Sequence, residues 1–303
     1  MTSGTESRCS FTYARYVDRA NALEYREVRR LGQETDPAPS WPLLRNAAGP
    51  SLASGLRALR AATTLATMAT STEITIDTDD GAMPAFEALP DSEPRGAIVV
   101  VQEAFGVTTH ICDVARRLAD DGWRAIAPAF FHRQGSPVFA YDDFAAVMPV
   151  MGQLSAEGSG MDLEASLDHL GTANEQTGIV GFCMGGTLSF YAATLRPLGA
   201  AVTFYGGGVD QGRFGLPSLI ELAPSLQAPW LGCYGDLDGS ISVDSVEQLR
   251  AAAATTSVAT EVVRYPDADH GFHCDDRPNV FNPAAAHDAW QRTLQWFDHH
   301  LVG

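Results

Sequence analysis

From residue 70 onward, two hydrophobic periodicities alternate along the chain. Residues 73–77 alternate apolar and polar, Thr78-Asp79-Asp80-Gly81 breaks the pattern, and residues 82–89 run back. This predicts a β-hairpin closed by an Asp-Gly turn. Residues 97–101 form a continuous apolar, mostly β-branched run, as expected of a strand buried on both faces. Further strands are expected at 123–129, 178–182, 200–205, 229–234 and 260–265. Between and after them, apolar residues recur at helical spacing over 111–121, 141–151, 161–170, 187–195, 242–253 and 284–300. Strands alternating with helices predict βαβ units, and hence an α/β fold with a mostly parallel sheet and helices on both faces. There is no internal repeat, and 70–303 reads as one domain.

The first 69 residues depart from this pattern. Pro37, Pro39, Pro42 and Pro50 interrupt them, and only 52–67 has the makings of a small helix. Residues 1–70 hold nine Arg against six acids, a net +3 in a chain of net charge -17. Those acids argue against a transit peptide, and no basic segment precedes an apolar stretch as in a secretory signal. The expectation is an N-terminal extension over 1–69 that is poorly ordered, or an over-long gene reading with Met68 as the natural start. Mass spectrometry of the native protein should then find no peptide upstream of Met68.

Composition narrows the function. No run of about 18 apolar residues exists to span a membrane. A net charge of -17 argues against nucleic acid as a partner, because a phosphate-binding surface needs a basic patch. All twenty basic residues are Arg, so Lys-based Schiff bases and Ser-Lys dyads are excluded. The five Cys (9, 112, 183, 233 and 274) show no C-x-x-C spacing, which points to a reducing compartment, the cytoplasm.

The chain is organised around Gly181-Phe182-Cys183-Met184-Gly185-Gly186, where an apolar run ends in Gly-x-Cys-x-Gly and a helical pattern follows. That order is a nucleophile elbow with Cys183 in place of the usual Ser. The helix N-terminus beneath it favours a thiolate over a thiol. The alternative is a glycine-rich turn with a structural Cys. Such a nucleophile needs a base, an acid to orient it and oxyanion donors, set in later strand-end loops in the order nucleophile, acid, His. Gly235-Asp236-Leu237-Asp238 and Asp267-Ala268-Asp269-His270 follow two strands in that order. His270 is the candidate base; the alternative is a surface His in a polar loop, and its position after the strand favours the base. Asp238 is preferred to Asp236 as the acid, being further round its loop, and Asp236 is then a solvated acid. Asp267 and Asp269 read as turn residues.

Glu103 follows the 97–101 strand, near where the sulfur should emerge, and suits either a group that holds or takes the thiol proton or a strand-end Glu in solvent. Arg133, at another strand end, suits bidentate grip of a substrate carboxylate or a structural ion pair. Tyr205-Gly206-Gly207-Gly208 brings backbone to the site without a side chain of evident use. His270, His273, Cys274 and the His299-His300 pair lack the closed spacing of a metal site, and no phosphate-binding glycine pattern is present. Neither metal nor cofactor is expected.

Taken together, Gln102-Glu103-Ala104-Phe105-Gly106, the Gly181–Gly186 elbow, the 235–238 loop and His270-Gly271-Phe272 followed by Ala289-Trp290-Gln291-Arg292-Thr293 resemble the dienelactone hydrolase family of α/β hydrolases. The resemblance covers about 73–301. It implies a Cys183-Asp238-His270 triad, Glu103 controlling the Cys proton, and oxyanion donation from the backbone N–H groups of Met184 and Ala104. It puts one substrate-carboxylate Arg at Arg133 and the second at position 274, where this chain has Cys. Arg277 replaces that second Arg only if its loop bends inward. The implied activity is opening of a lactone or ester by a thiolate through a thioester, as a carboxymethylenebutenolidase does. The enzyme would be a monomer or small homo-oligomer acting on a small molecule. A general carboxylesterase and a peroxide sensor using Cys183 are the alternatives.

Overall fold

Runs of small and β-branched residues build the sheet, and their lengths set where each strand stops. The computed structural model describes residues 70–301; the expectations for the N-terminal extension and the Met68 start lie outside them. The strands are β1 (Thr70–Thr78), β2 (Gly81–Leu89), β3 (Ala97–Val101), β4 (Arg124–Pro128), β5 (Thr177–Phe182), β6 (Ala200–Phe204), β7 (Trp230–Gly235) and β8 (Thr260–Tyr265). They form one eight-stranded sheet in the order β1-β2-β4-β3-β5-β6-β7-β8. The β1–β2 hairpin is antiparallel, β2 pairs antiparallel with β4, and every later pairing is parallel.

The helices are α1 (Thr109–Asp120), α2 (Phe144–Met151), α3 (Ala156–Leu170), α4 (Met184–Leu195), α5 (Leu219–Leu222), α6 (Val243–Ala253) and α7 (Pro283–His300). None of the described helices is long and apolar enough to cross a membrane. Strands β3, β5, β6 and β7 are buried along their whole length, as a parallel sheet covered on both faces requires. Successive side chains of a strand point to opposite faces. Val99 and Val101 accordingly join the apolar cluster that includes Leu163 of α3 and Leu188 of α4, while buried Ile98 and Val100 face the other side. Inside the sheet, the buried Trp230 indole N–H donates to Thr203 Oγ1 at 3.0 Å.

Two departures from the sequence expectation have a local cause. Helix α3 begins at Ala156, not 161, because Ser155 caps it by accepting from the Gly158 N–H, and this outweighs the low helix propensity of Gly158 and Gly160. Short α5 was not expected, although Ser218 and Glu221 form a capping box, a pattern readable in the sequence.

The parallel register brings the carboxyl ends of the central strands to one edge. Val101 lies opposite Gly181, Phe182 opposite Phe204, and Gly235 opposite Tyr265. In open α/β sheets this edge carries the ligand site.

Candidate active site

Cys183 sits between β5 and α4 with φ 54° and ψ −114°, a left-handed conformation that a side chain rarely adopts. Packing forces it. A Cβ on Gly181 would collide with the Gly185 carbonyl, and one on Gly185 with the backbone carbonyls of Val101 and Gln102. The Cys183 N–H donates to the Phe204 carbonyl at 3.0 Å, and its own carbonyl accepts from the Gly186 N–H. The half-buried thiol therefore stands above the first turn of α4, whose leading N–H groups have no partner within the helix.

The sulfur lies within hydrogen-bond reach of the His270 ring, whose Nδ1 is 2.6 Å from Asp238 Oδ2. Burial alone would lower the His270 pKa. The Cys183 charge and the Asp238 hydrogen bond outweigh it and hold the imidazole well above its ordinary value. Burial would raise the Asp238 carboxyl, but the His270 hydrogen bond and charge, with donation from the Ser240 hydroxyl and N–H, hold it below the usual range. Asp236 is not solvated as expected: Arg264 holds both its oxygens, at 2.8 and 2.7 Å. Asp269 accepts from the His270 N–H, as a turn residue does.

Glu103 is completely buried. Its loop is pinned: Gln102 Oε1 accepts from the Phe130 N–H, the Gly106 N–H donates to the Glu103 carbonyl, and the Phe105 carbonyl accepts from the Phe139 N–H. This fixes the loop that carries Ala104, whose Gln102 carbonyl packs against Gly185 of the elbow. One Glu103 oxygen accepts from the Tyr205 hydroxyl at 3.3 Å; the other has no partner. The sequence reading of Tyr205-Gly206-Gly207-Gly208 as backbone without a useful side chain is corrected here: a tyrosine closing an apolar strand looks like core, but its hydroxyl reaches Glu103.

Arg133 does not face this cluster as a free cation. Its guanidinium bonds Asp80 at 2.6 and 3.1 Å and buried Asp162 at 2.6 and 3.0 Å, so the structural ion pair describes it. Asp80, His132 and Asp162 also form, among the described residues, a set with metal-ligand atoms within 4.8 Å of one another, and the Arg133 fork already bonds both carboxylates. The loop carrying Arg277 does bend inward. Its guanidinium packs against Gly271 and lies 5.4 and 5.6 Å from the Phe105 and Tyr141 ring centroids. Among the described residues, no carboxylate lies within ion-pair distance of it. His273 is buried among Phe182, Phe204, Trp290 and His110, and burial holds its imidazole well below the ordinary value. Cys274 is buried against the Tyr141 hydroxyl, its thiol pushed up to about 12 by burial. His299 and His300 pack against each other at the end of α7.

An eight-stranded, mostly parallel sheet with a strained strand-to-helix elbow at its carboxyl edge defines an α/β hydrolase. A model of the dienelactone hydrolase family matches residues 83–301. An Escherichia coli relative described as "Putative carboxymethylenebutenolidase" is 40% identical over 226 residues, covering 71% of this chain and 82% of that one. A "Carboxymethylenebutenolidase" of Rhodococcus opacus is 29% identical over 223 residues, covering 73% of this chain and 87% of that one. The crystal structure of a "Putative Dienelactone Hydrolase" from Klebsiella pneumoniae superimposes with a TM-score of 0.70 at 36% identity, covering 76% of this chain and 99% of that one. The chain belongs to the dienelactone hydrolase family, hydrolases that act on small-molecule substrates.

Proposed function

We propose that this hydrolase opens lactones or carboxylic esters with Cys183 as its nucleophile. The observation that carries the reading is the line of contact from the Cys183 sulfur through the His270 ring to the Asp238 carboxylate, above the N-terminus of α4. The thiolate adds to the substrate carbonyl carbon, and the carbonyl oxygen becomes an oxyanion held by the N–H groups of Met184 and Ala104. The C–O bond then breaks. The leaving oxygen takes a proton from the His270 imidazolium, and the acyl group stays on sulfur as a thioester. Neutral His270 next removes a proton from water, whose oxygen attacks the thioester. The sulfur departs as thiolate and the carboxylic acid is released. Asp238 holds the ring orientation throughout, and Glu103 takes the Cys183 proton to give the thiolate.

The Arg133 fork is already filled by two carboxylates, so we assign recognition of an anionic substituent to Arg277. A redox-sensing role for Cys183 has less support. Burial pushes the Cys233 and Cys274 thiols up, so neither offers the thiolate that a resolving cysteine needs.

Hydrolysis of p-nitrophenyl acetate and of a cis- or trans-dienelactone by the wild type and Cys183→Ser tests the reading. Dienelactone turnover lost in the variant is the expected result. Turnover of the simple ester alone would move the substrate toward general carboxylic esters. Activity undiminished in Cys183→Ser, or no turnover with a Cys183 that still reacts with peroxide, would overturn the mechanism.

A further inference from the structure

Tyr205 is the first residue after β6, and its φ of 38° puts a bulky aromatic in the left-handed region. Such strain persists only where the surroundings dictate it. The Tyr205 N–H donates to the Cys233 carbonyl at 2.8 Å. The next residue, Gly206, is wedged against α4, where a Cβ would lie 2.8 Å from the Gly186 carbonyl carbon. The Thr187 hydroxyl then holds the Gly207 carbonyl at 2.8 Å. The backbone is thus locked to the elbow, and the fully buried ring is turned into the site.

There the ring meets two parts of the chemistry. Its centroid is 5.1 Å from that of the His270 imidazole and 5.3 Å from that of Phe272. Its hydroxyl donates to Glu103 Oε1, the one hydrogen bond made to this carboxyl group among the described residues, while buried Oε2 has none. Burial, and then the Glu103 charge, keep the phenol well above its ordinary pKa, so Tyr205 donates and does not act as a base. The other titratable or charged groups around this pair are Cys183 on the elbow, Tyr141 ahead of α2, and Cys274 and Arg277 on the loop after His270.

We propose that Tyr205 is a positioning residue: its hydroxyl ties down Glu103 Oε1, leaving Oε2 as the oxygen that receives the Cys183 proton, while its ring backs His270. This rests on the reading of Glu103 as the proton partner of Cys183. In that step the S–H bond breaks, an O–H bond forms on Oε2, and the electron pair stays on sulfur. Tyr205 keeps its own proton.

Tyr205→Phe removes one oxygen and keeps the ring. Two readouts apply: the pH dependence of kcat/KM for p-nitrophenyl acetate, and the pH dependence of Cys183 alkylation by iodoacetamide, which needs no substrate. A hydrogen bond to the charged form of a carboxyl group favours that form. Losing it should move the acid limb of both profiles up by about one pH unit and lower kcat about tenfold, with KM within about twofold. In a Glu103→Gln background the same substitution should change neither profile. Tyr205→Phe profiles that superimpose on the wild type, or an equal effect in both backgrounds, would overturn the proposal. An alkylation profile unchanged by Glu103→Gln alone would instead overturn the Glu103 reading beneath it.

Discussion

His270 Nδ1 and Asp238 Oδ2 are 2.6 Å apart, while Asp236, two residues earlier on the same loop, turns away to clamp Arg264. The two acids therefore answer to different measurements. Asp238→Asn should lower kcat for ester hydrolysis by about 10²-fold or more, because the imidazole loses its orienting charge. Asp236→Asn should leave kcat within about twofold and show only in thermal stability. The reverse order of effects would reassign the acid.

The same contact sets a pH window for stability. Asp238 is depressed below its ordinary value of 3.8, so its contribution is present above that value and lost as pH falls through the folded pKa. His270 is raised above 6.5, so its contribution is complete below 6.5 and lost as pH rises through the folded pKa. The Tm difference between the wild type and Asp238→Asn should be largest between roughly pH 4 and 6.5 and shrink on either side. A difference constant across pH would mean that the pair's charge adds nothing to stability.

What the sequence made legible was whatever rests on local sterics or spacing. Gly181 and Gly185 announce the elbow because no other residue fits those positions, and the loop spacing separated Asp238 from Asp236. What stayed hidden depends on partners distant in sequence. Arg133 meets Asp80 and Asp162, 53 and 29 positions away, and no local pattern announces that fork. Tyr205 meets Glu103 across 102 positions, and its left-handed backbone follows from packing against α4, not from its own propensity. Arg277 needed the fold of its loop to bring it over Phe105.

Arg133 and Arg277 offer a direct contrast. Arg133→Ala leaves Asp162, which is fully buried, with only His132 opposite it, and should cost about 3 kcal/mol or more of stability. KM for an uncharged ester should stay within about twofold. Arg277→Ala removes a cation without a carboxylate partner, so stability should change little while KM for a carboxylate-bearing ester rises about tenfold or more and KM for p-nitrophenyl acetate does not. Chemical denaturation and paired substrate kinetics separate the two. A selective KM effect at Arg133 would return carboxylate recognition to that residue.

The elbow glycines give the most demanding test of the geometry. A methyl group on Gly185 would meet the backbone carbonyls of Val101 and Gln102, and backbone at the end of a buried strand cannot swing aside as a flexible side chain can. The clash must separate α4 from the β3 end, and those two segments carry the N–H groups assigned to the oxyanion. Gly185→Ala should therefore cost about 3 kcal/mol or more, which lowers Tm by roughly 6–12 °C in a domain of this size. Any folded fraction should lose kcat more than substrate affinity, since the oxyanion contact forms only in the transition state. Gly239→Ala is the matched control, because a methyl group there meets nothing within 4 Å. Calorimetry and steady-state kinetics on the two variants check this. Equal Tm and kcat values would mean that the elbow tolerates a Cβ that its backbone leaves no room for.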